Sequence, residues 1–309
     1  MILSVSRRTD IPAYYFDWFL NRLRAGYVLV RNPINTRQIS RVELSPEAVD
    51  AIVFWTKNPA PMLGKLHPLD QYPYYIQFTI NPYGRDIEAN LPDKPQLVET
   101  FKHLAGILGR ERLVWRFSPV LINEKYTADF MIKSFQRLAA ALENHTRRCN
   151  FGFLDIYDKI KAPMAALGVI DPPEDMKRRL TDACSKAARD HGISISLCGH
   201  PDPGSLGQEP ASCIDRRLIE RLLGQAAKLK KDPGQRPECR CAQSVDIGAY
   251  DTCANGCRYC YANHSTALAQ RNLQKYDPNS PLLCGTPGPR DVITSRAMKS
   301  CRRDDVLLF

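Results

Sequence analysis

Three cysteines carry the strongest chemical signal in the chain. The stretch Cys253-Ala-Asn-Gly-Cys257-Arg-Tyr-Cys260-Tyr-Ala-Asn263 sets thiols at x3 and x2 spacing, with a tyrosine on each side of the third. Three thiolates can occupy three corners of a [4Fe-4S] cube and leave the fourth iron open. An open iron can take the amino and carboxylate groups of S-adenosylmethionine and supply the electron that cleaves a carbon-sulfur bond. The competing chemistry is zinc, with Cys239 or Cys241 closing a tetrahedral site or knuckle. Zinc ligands usually arrive as two pairs on tight turns, whereas here three thiols fall within eight residues. Tyr259 and Tyr261 can shield a cluster face and lie near a bound adenine, so the pattern favours the cube.

Four further thiols, Cys198, Cys213, Cys239 and Cys241, precede this motif, and four is the number a closed centre needs. They are expected to hold a second [4Fe-4S] cluster that relays electrons or pins the chain, against the plainer readings of zinc or ordinary buried cysteines. Cys149, Cys184, Cys284 and Cys301 are scattered and read as structural. Eleven cysteines, an odd number, argue for metal ligation in a reducing compartment before disulfides. Met1-Ile-Leu-Ser-Val-Ser-Arg-Arg lacks a signal-peptide layout, and no run approaches about 18 apolar residues, so the expectation is a cytoplasmic chain with no membrane partner.

S-adenosylmethionine needs a cation for its carboxylate and polar side chains for its ribose and amine. Arg116, Lys57 and Arg8 are the candidates for the first task, the alternatives being a clamp on substrate or an ion pair with Asp10 or Asp155. Asn58, Thr79 and Asn81 are the candidates for the second. Lys57 and Tyr250 are the catalytic candidates, Tyr250 as a hydrogen-atom relay against the plainer reading of a packing tyrosine. Gly248 and Gly256 would let backbone approach a cube closely. His200 and His264 lie near the two cysteine sets, though a lone histidine usually neither ligates nor donates there.

These residues need elements to bring them together. Apolar runs rich in β-branched and aromatic residues predict six strands, at 2–5, 51–55, 74–80, 113–117, 151–156 and 193–197. Helical periodicity fills 13–25, 94–108, 129–142 and 174–190, the alternation of parallel βα units. The fold class this implies is α/β, an incomplete parallel (β/α) barrel of about six strands whose polar strand ends form one mouth. Residues 1–200 form the partial barrel. Residues 201–309 form a cysteine-rich connector with one helix at 215–230, then the cluster loop and a helix within 250–274, then an extended tail that wraps or frays. The formal net charge of +10 allows a nucleic-acid partner, yet Lys228-Leu-Lys-Lys231 and Arg302-Arg303 are short and lack interleaved aromatics.

The cysteine loop resembles the signature loop of radical S-adenosylmethionine enzymes, particularly the spore photoproduct lyase and DNA-repair photolyase-like branch. Phe54-Trp-Thr-Lys-Asn58, Gln77-Phe-Thr-Ile-Asn81 and Arg116-Phe-Ser-Pro-Val-Leu-Ile122 resemble that branch's successive strand ends. In that superfamily the loop normally follows the first barrel strand, a place held here by Ser6-Arg-Arg-Thr-Asp10. The whole chain is similar to an uncharacterised bacterial family of radical-SAM-like proteins that begin with that segment and carry Asp-Ile-Gly-Ala-Tyr-Asp-Thr-Cys near the end. The resemblance implies that a C-terminal loop delivers the cluster to the mouth and that a reductant such as flavodoxin or ferredoxin serves it. The expected activity is reductive cleavage of S-adenosylmethionine to act on a nucleic-acid base, a small metabolite or a peptide. Its alternatives are aminocarboxypropyl transfer and a non-catalytic zinc or iron-sulfur module that senses redox state or docks on nucleic acid.

Overall fold

Alternate residues of a strand point to opposite faces, so each apolar run buries two different surfaces. The computed structural model describes residues 1–306. In chain order its elements are β1 (Ile2–Val5), α1 (Ile11–Tyr14), α2 (Phe16–Ala25), β2 (Tyr27–Arg31), β3 (Gln38–Glu43), β4 (Ala51–Thr56), β5 (Tyr74–Thr79), α3 (Lys94–Leu108), β6 (Leu113–Val120) and α4 (Ala128–Ala141). There follow β7 (Arg148–Phe153), α5 (Asp158–Ala166), α6 (Glu174–Asp190), β8 (Ser194–Leu197), β9 (Glu209–Pro210), α7 (Arg216–Leu223), β10 (Gln225–Ala227), β11 (Val245–Asp246), α8 (Thr266–Leu273), β12 (Val292–Ser295) and β13 (Arg302–Val306).

Eight strands form one sheet in the order β11-β1-β4-β5-β6-β7-β8-β9. Every pairing in it is parallel, so the fold is α/β with an all-parallel sheet alternating with helices. The two edge strands, β9 and β11, both come from beyond residue 200. Among the described residues no helix is long and apolar enough to cross a membrane.

The helix face of the sheet carries Leu3, Phe54, Ile76, Phe78, Trp115, Phe117 and Phe151, which pack under the helices. Trp115 stacks on Phe135 of α4 with ring centroids 4.7 Å apart. Truncating a buried aromatic of this kind costs about 3–5 kcal/mol. The opposite face carries Ile2, Ala51, Val53, Trp55, Tyr75 and Val114, covered by Cys213, Ile214, Leu218, Ile219, Cys239 and Cys241 of the connector. Gln77 and Asn150 are buried on this connector face and bond each other, Asn150 Nδ2 to Gln77 Oε1 at 3.1 Å.

Several expected boundaries move. The helix expected over 13–25 starts at Ile11, where the Asp10 side chain accepts from Ala13 N, and is interrupted at Tyr15, whose backbone (φ −134°, ψ 21°) is not helical. The strand expected over 151–156 spans Arg148–Phe153 instead. Polar Arg148 and Asn150 belong to it because the connector face gives them Asp215 and Gln77 as partners. The helix expected to run to residue 230 stops at Leu223, where Gly224 takes a left-handed turn (φ 66°) into β10. The tail wraps: Trp18 Nε1 donates to Ser280 O at 2.8 Å, Arg22 to Asn279 O at 2.9 Å, and β12 joins β3. Residues 307–309 of that tail lie outside the described residues.

Candidate functional site

Parallel strands end on one edge of a sheet, and ligands in such folds gather outside that carboxyl edge. Here the loop bearing Cys253, Cys257 and Cys260 crosses it. Asp10, just past β1, ties the corner: its Oδ2 accepts from Lys57 N at 2.8 Å and from Asn255 Nδ2 at 3.0 Å. Burial pushes the Asp10 carboxyl up, and these hydrogen bonds pull against it. The segment after β5 then pairs with the loop, Arg258 N donating to Ile87 O at 2.9 Å and Asn90 N to Asn255 O at 3.1 Å, with Glu88 opposite Cys257. Gly256 sits at the turn with φ 68°, and a Cβ there would lie 3.1 Å from Ala89 Cβ. Gly248 makes the other close approach, where a Cβ would collide with Ser6.

The three thiols converge, each within electrostatic reach of the other two. Burial raises all of them, Cys253 to about 12. Opposing that, nearby backbone N–H groups of Asn255 and Asp10 lower Cys253, those of Ala262 and Asn263 lower Cys260, and the Lys57 ammonium lowers Cys257. Such donors stabilise thiolates.

Beside Cys257 lies a buried charge network with no sequence motif to announce it. Glu88, its side chain 1% exposed, accepts from Lys57 Nζ and Lys94 Nζ at 2.7 Å each. It also accepts from Tyr259 OH at 2.5 Å and Asn81 Nδ2 at 3.3 Å. Burial alone would raise this carboxyl, but the two ammoniums outweigh it and hold it at about 2. The Lys57 ammonium also lies 5.4 Å from the Tyr259 ring centre. Asn81 Oδ1 is sealed from solvent with no hydrogen-bond partner, as are Thr9 Oγ1 and Asn263 Oδ1.

The remaining candidates divide. Asn58 is spent locally, its Oδ1 accepting from Ala60 N at 3.2 Å, while Thr79 is buried at the end of β5. Arg8 pairs with Asp246 at 3.7 Å and lies 5.4 Å from the ring centre of Tyr250, which is 39% exposed and so is not a buried packing tyrosine. Asp155 pairs with Arg236, which leaves Arg116 without that partner. His264 pairs with Asp251 at 2.7 Å, and His200 lies 3.6 Å from Glu174. The signal that finds Glu88, Lys94 and Asn255 is the pairing of residues 87–90 with 255–258, which joins segments too far apart for local spacing to reveal.

Cys198, Cys213, Cys239 and Cys241 also come together, on the connector face: Cys213, Cys239 and Cys241 share one buried cluster, and Cys198 packs against it. Among the described residues no three His, Cys, Asp or Glu side chains form a group that could hold a metal ion as they stand.

A family model described as a domain of unknown function (DUF1848) matches residues 2–262. No curated protein and no solved structure matches the chain.

Proposed function

The chain belongs to the DUF1848 family, a domain of unknown function, and from its own residues we propose that it is a radical S-adenosylmethionine enzyme whose sheet forms the wall of an incomplete barrel. Cys253, Cys257 and Cys260 would hold a [4Fe-4S] cluster at the carboxyl edge. Bound there, such a cluster supplies the single electron that splits a carbon-sulfur bond of S-adenosylmethionine. The observation that carries this reading is the convergence of the three thiols at the strand ends, with N–H donors on two sulfurs and an ammonium beside the third.

The chain's own groups then have separate tasks. Glu88 fixes Lys57 at 2.7 Å, and the ammonium offsets the negative charge that builds up on a thiolate at Cys257. Lys57 would also be the cation for a carboxylate, and the unpartnered Oδ1 of Asn81 an acceptor for an amino group. Tyr259, held by Glu88 and buried against Tyr83, packs the loop onto the strand ends beside the thiols. Tyr261, its hydroxyl donating to Arg7 O at 2.7 Å, ties the loop to the segment after β1.

Anaerobic incubation of the iron-loaded protein with dithionite and S-adenosylmethionine tests the reading. The expected product is 5′-deoxyadenosine, and methylthioadenosine would assign aminocarboxypropyl transfer instead. Formation of neither leaves a binding module. Filter binding to DNA and RNA across salt concentrations separates a nucleic-acid substrate, whose affinity falls steeply with salt, from a small one.

A further inference from the structure

We propose that Cys198, Cys213, Cys239 and Cys241 form a second, four-thiolate metal centre on the connector face, independent of the triad at the strand ends. The four thiols come from three separate stretches, at the end of β8, ahead of α7 and ahead of β11, and still meet in one buried cluster, Cys213, Cys239 and Cys241 within it and Cys198 packed against it. None is in a disulfide. Cys149 and Cys184 lie apart from them, in the core under the helices on the other face of the sheet.

The surroundings are built as a metal site's supporting shell is built, with polar groups that fix the ligands. The carbonyl of Cys213 accepts from Tyr75 OH at 2.5 Å and from Gln77 Nε2 at 2.9 Å, two side chains reaching off β5. Asn150 orients Gln77, and Tyr75 OH accepts from Asp215 N at 2.9 Å, so Cys213 is held from both sides in sequence. Ile214 N points at Cys241 Sγ at 3.5 Å, and Cys241 N points at the Cys239 sulfur.

An independent observation asks for negative charge there. Arg116 has its Nε sealed from solvent and unpartnered, and no ion pair joins it to a carboxylate among the described residues. The groups in its electrostatic reach include Cys213, Cys198, Tyr261 and Cys241, and on the other side Cys149 and the Lys57 ammonium. A half-buried guanidinium with one nitrogen sealed and unpartnered favours a counter-charge beside it. Neutral thiols do not supply one, while thiolates on a metal do. Arg7, bonded to Asp232 and Ser244, brings a second guanidinium to Cys241 and Cys213. Thiolate ligation takes either zinc or iron with sulfide, and the contacts alone are compatible with both.

The test uses the full-length triple variant Cys253→Ala, Cys257→Ala, Cys260→Ala, purified anaerobically and incubated with ferrous iron and sulfide or with zinc. The expected result is about four irons with four sulfides per chain, or about one zinc, retained after desalting. Iron with sulfide makes the centre an electron carrier and zinc makes it a staple, and either supports the site. Adding Cys213→Ala should bring the metal to background. A triple variant that melts like the wild type by circular dichroism yet holds no metal overturns the proposal. Should the triple variant not fold, the double variant Cys213→Ala, Cys241→Ala in the native background decides: metal content equal to wild type overturns the site, and a fall by one centre's share supports it. Because the triad is deleted in the first experiment, failure of the radical S-adenosylmethionine reading leaves this result untouched.

Discussion

The two thiol sets reach similar chemistry by opposite routes. The triad at the strand ends comes from eight consecutive residues, and what is assembled from afar is its setting: Asp10, Lys57, and the pair Asn81 and Glu88 arrive from three other segments. The set on the connector face is itself assembled from afar, and the hydrogen bonds that pin Cys213 come from a single strand, β5, through Tyr75 and Gln77. A contiguous ligand set can keep its spacing while its electrostatics are lost. A dispersed set depends on the sheet's register, so metal, fold and ligands stand or fall together.

The largest difference should come from removing one ligand. Cys257→Ala is expected to bring 5′-deoxyadenosine formation to background, well beyond the roughly 10–100-fold that loss of a supporting partner costs. Because this thiol lies on a loop, the melting temperature should move little and the connector-face metal should stay. Loss of both metals together would erase the distinction between the sets.

Glu88→Gln is the next largest, and it strips the triad's setting while keeping its ligands. Removing one partner of a buried ion pair costs about 3–5 kcal/mol, and here two ammoniums would be left facing each other. The Glu88 carboxyl is held at about 2 against an ordinary 4.5. A depressed folded value means its stabilisation is complete above about pH 4.5 and is lost as pH falls from there toward about 2. Urea midpoints measured between pH 6 and pH 3 should therefore fall steeply in the wild type and less steeply in the variant. Parallel curves would mean that Glu88 contributes nothing to the acid response.

How much of this was legible follows the same division. The triad and its tyrosines are readable because their spacing is local, and so are β1, β4 and the bounds of α6, where periodicity and burial agree. Glu88 is invisible because nothing near Asp86-Ile-Glu-Ala-Asn90 announces that residues 255–258 will cover it. The start of β7 is missed because Arg148 and Asn150 look like loop residues until Asp215 and Gln77 are opposite them. The hairpin of β2 and β3 escapes because Gln38-Ile-Ser-Arg-Val-Glu43 has only two apolar residues. For the connector face, counting thiols suggests a set of four, but only the sheet's alternation places them on one surface.

A smaller effect is expected on the connector face from Tyr75→Phe. The phenol donates to Cys213 O and accepts from Asp215 N, so the variant leaves a buried N–H without its acceptor and should cost about 2 kcal/mol. Gln77 still holds the Cys213 carbonyl, so metal should be retained but released to a chelator about tenfold faster. An unchanged release rate together with lowered stability would make Tyr75 a packing residue only.

The smallest effect should be Gly256→Ala, which probes the triad's backbone with every side chain left in place. A left-handed residue other than glycine costs about 1–2 kcal/mol, and with φ at 68° the variant must either bear that strain or flatten the turn. Its new methyl would also lie 3.1 Å from Ala89 Cβ, in the segment that pairs with the loop, so relief of one strain loads the other. The expected outcome is faster amide exchange at Arg258 and Asn90, the two N–H groups that bridge the segments, with the connector-face metal unaffected. Equal protection in variant and wild type would mean that the loop is set by its ligands and not by its pairing, and the contrast between a locally spelled triad and its assembled setting would then rest on Glu88 alone.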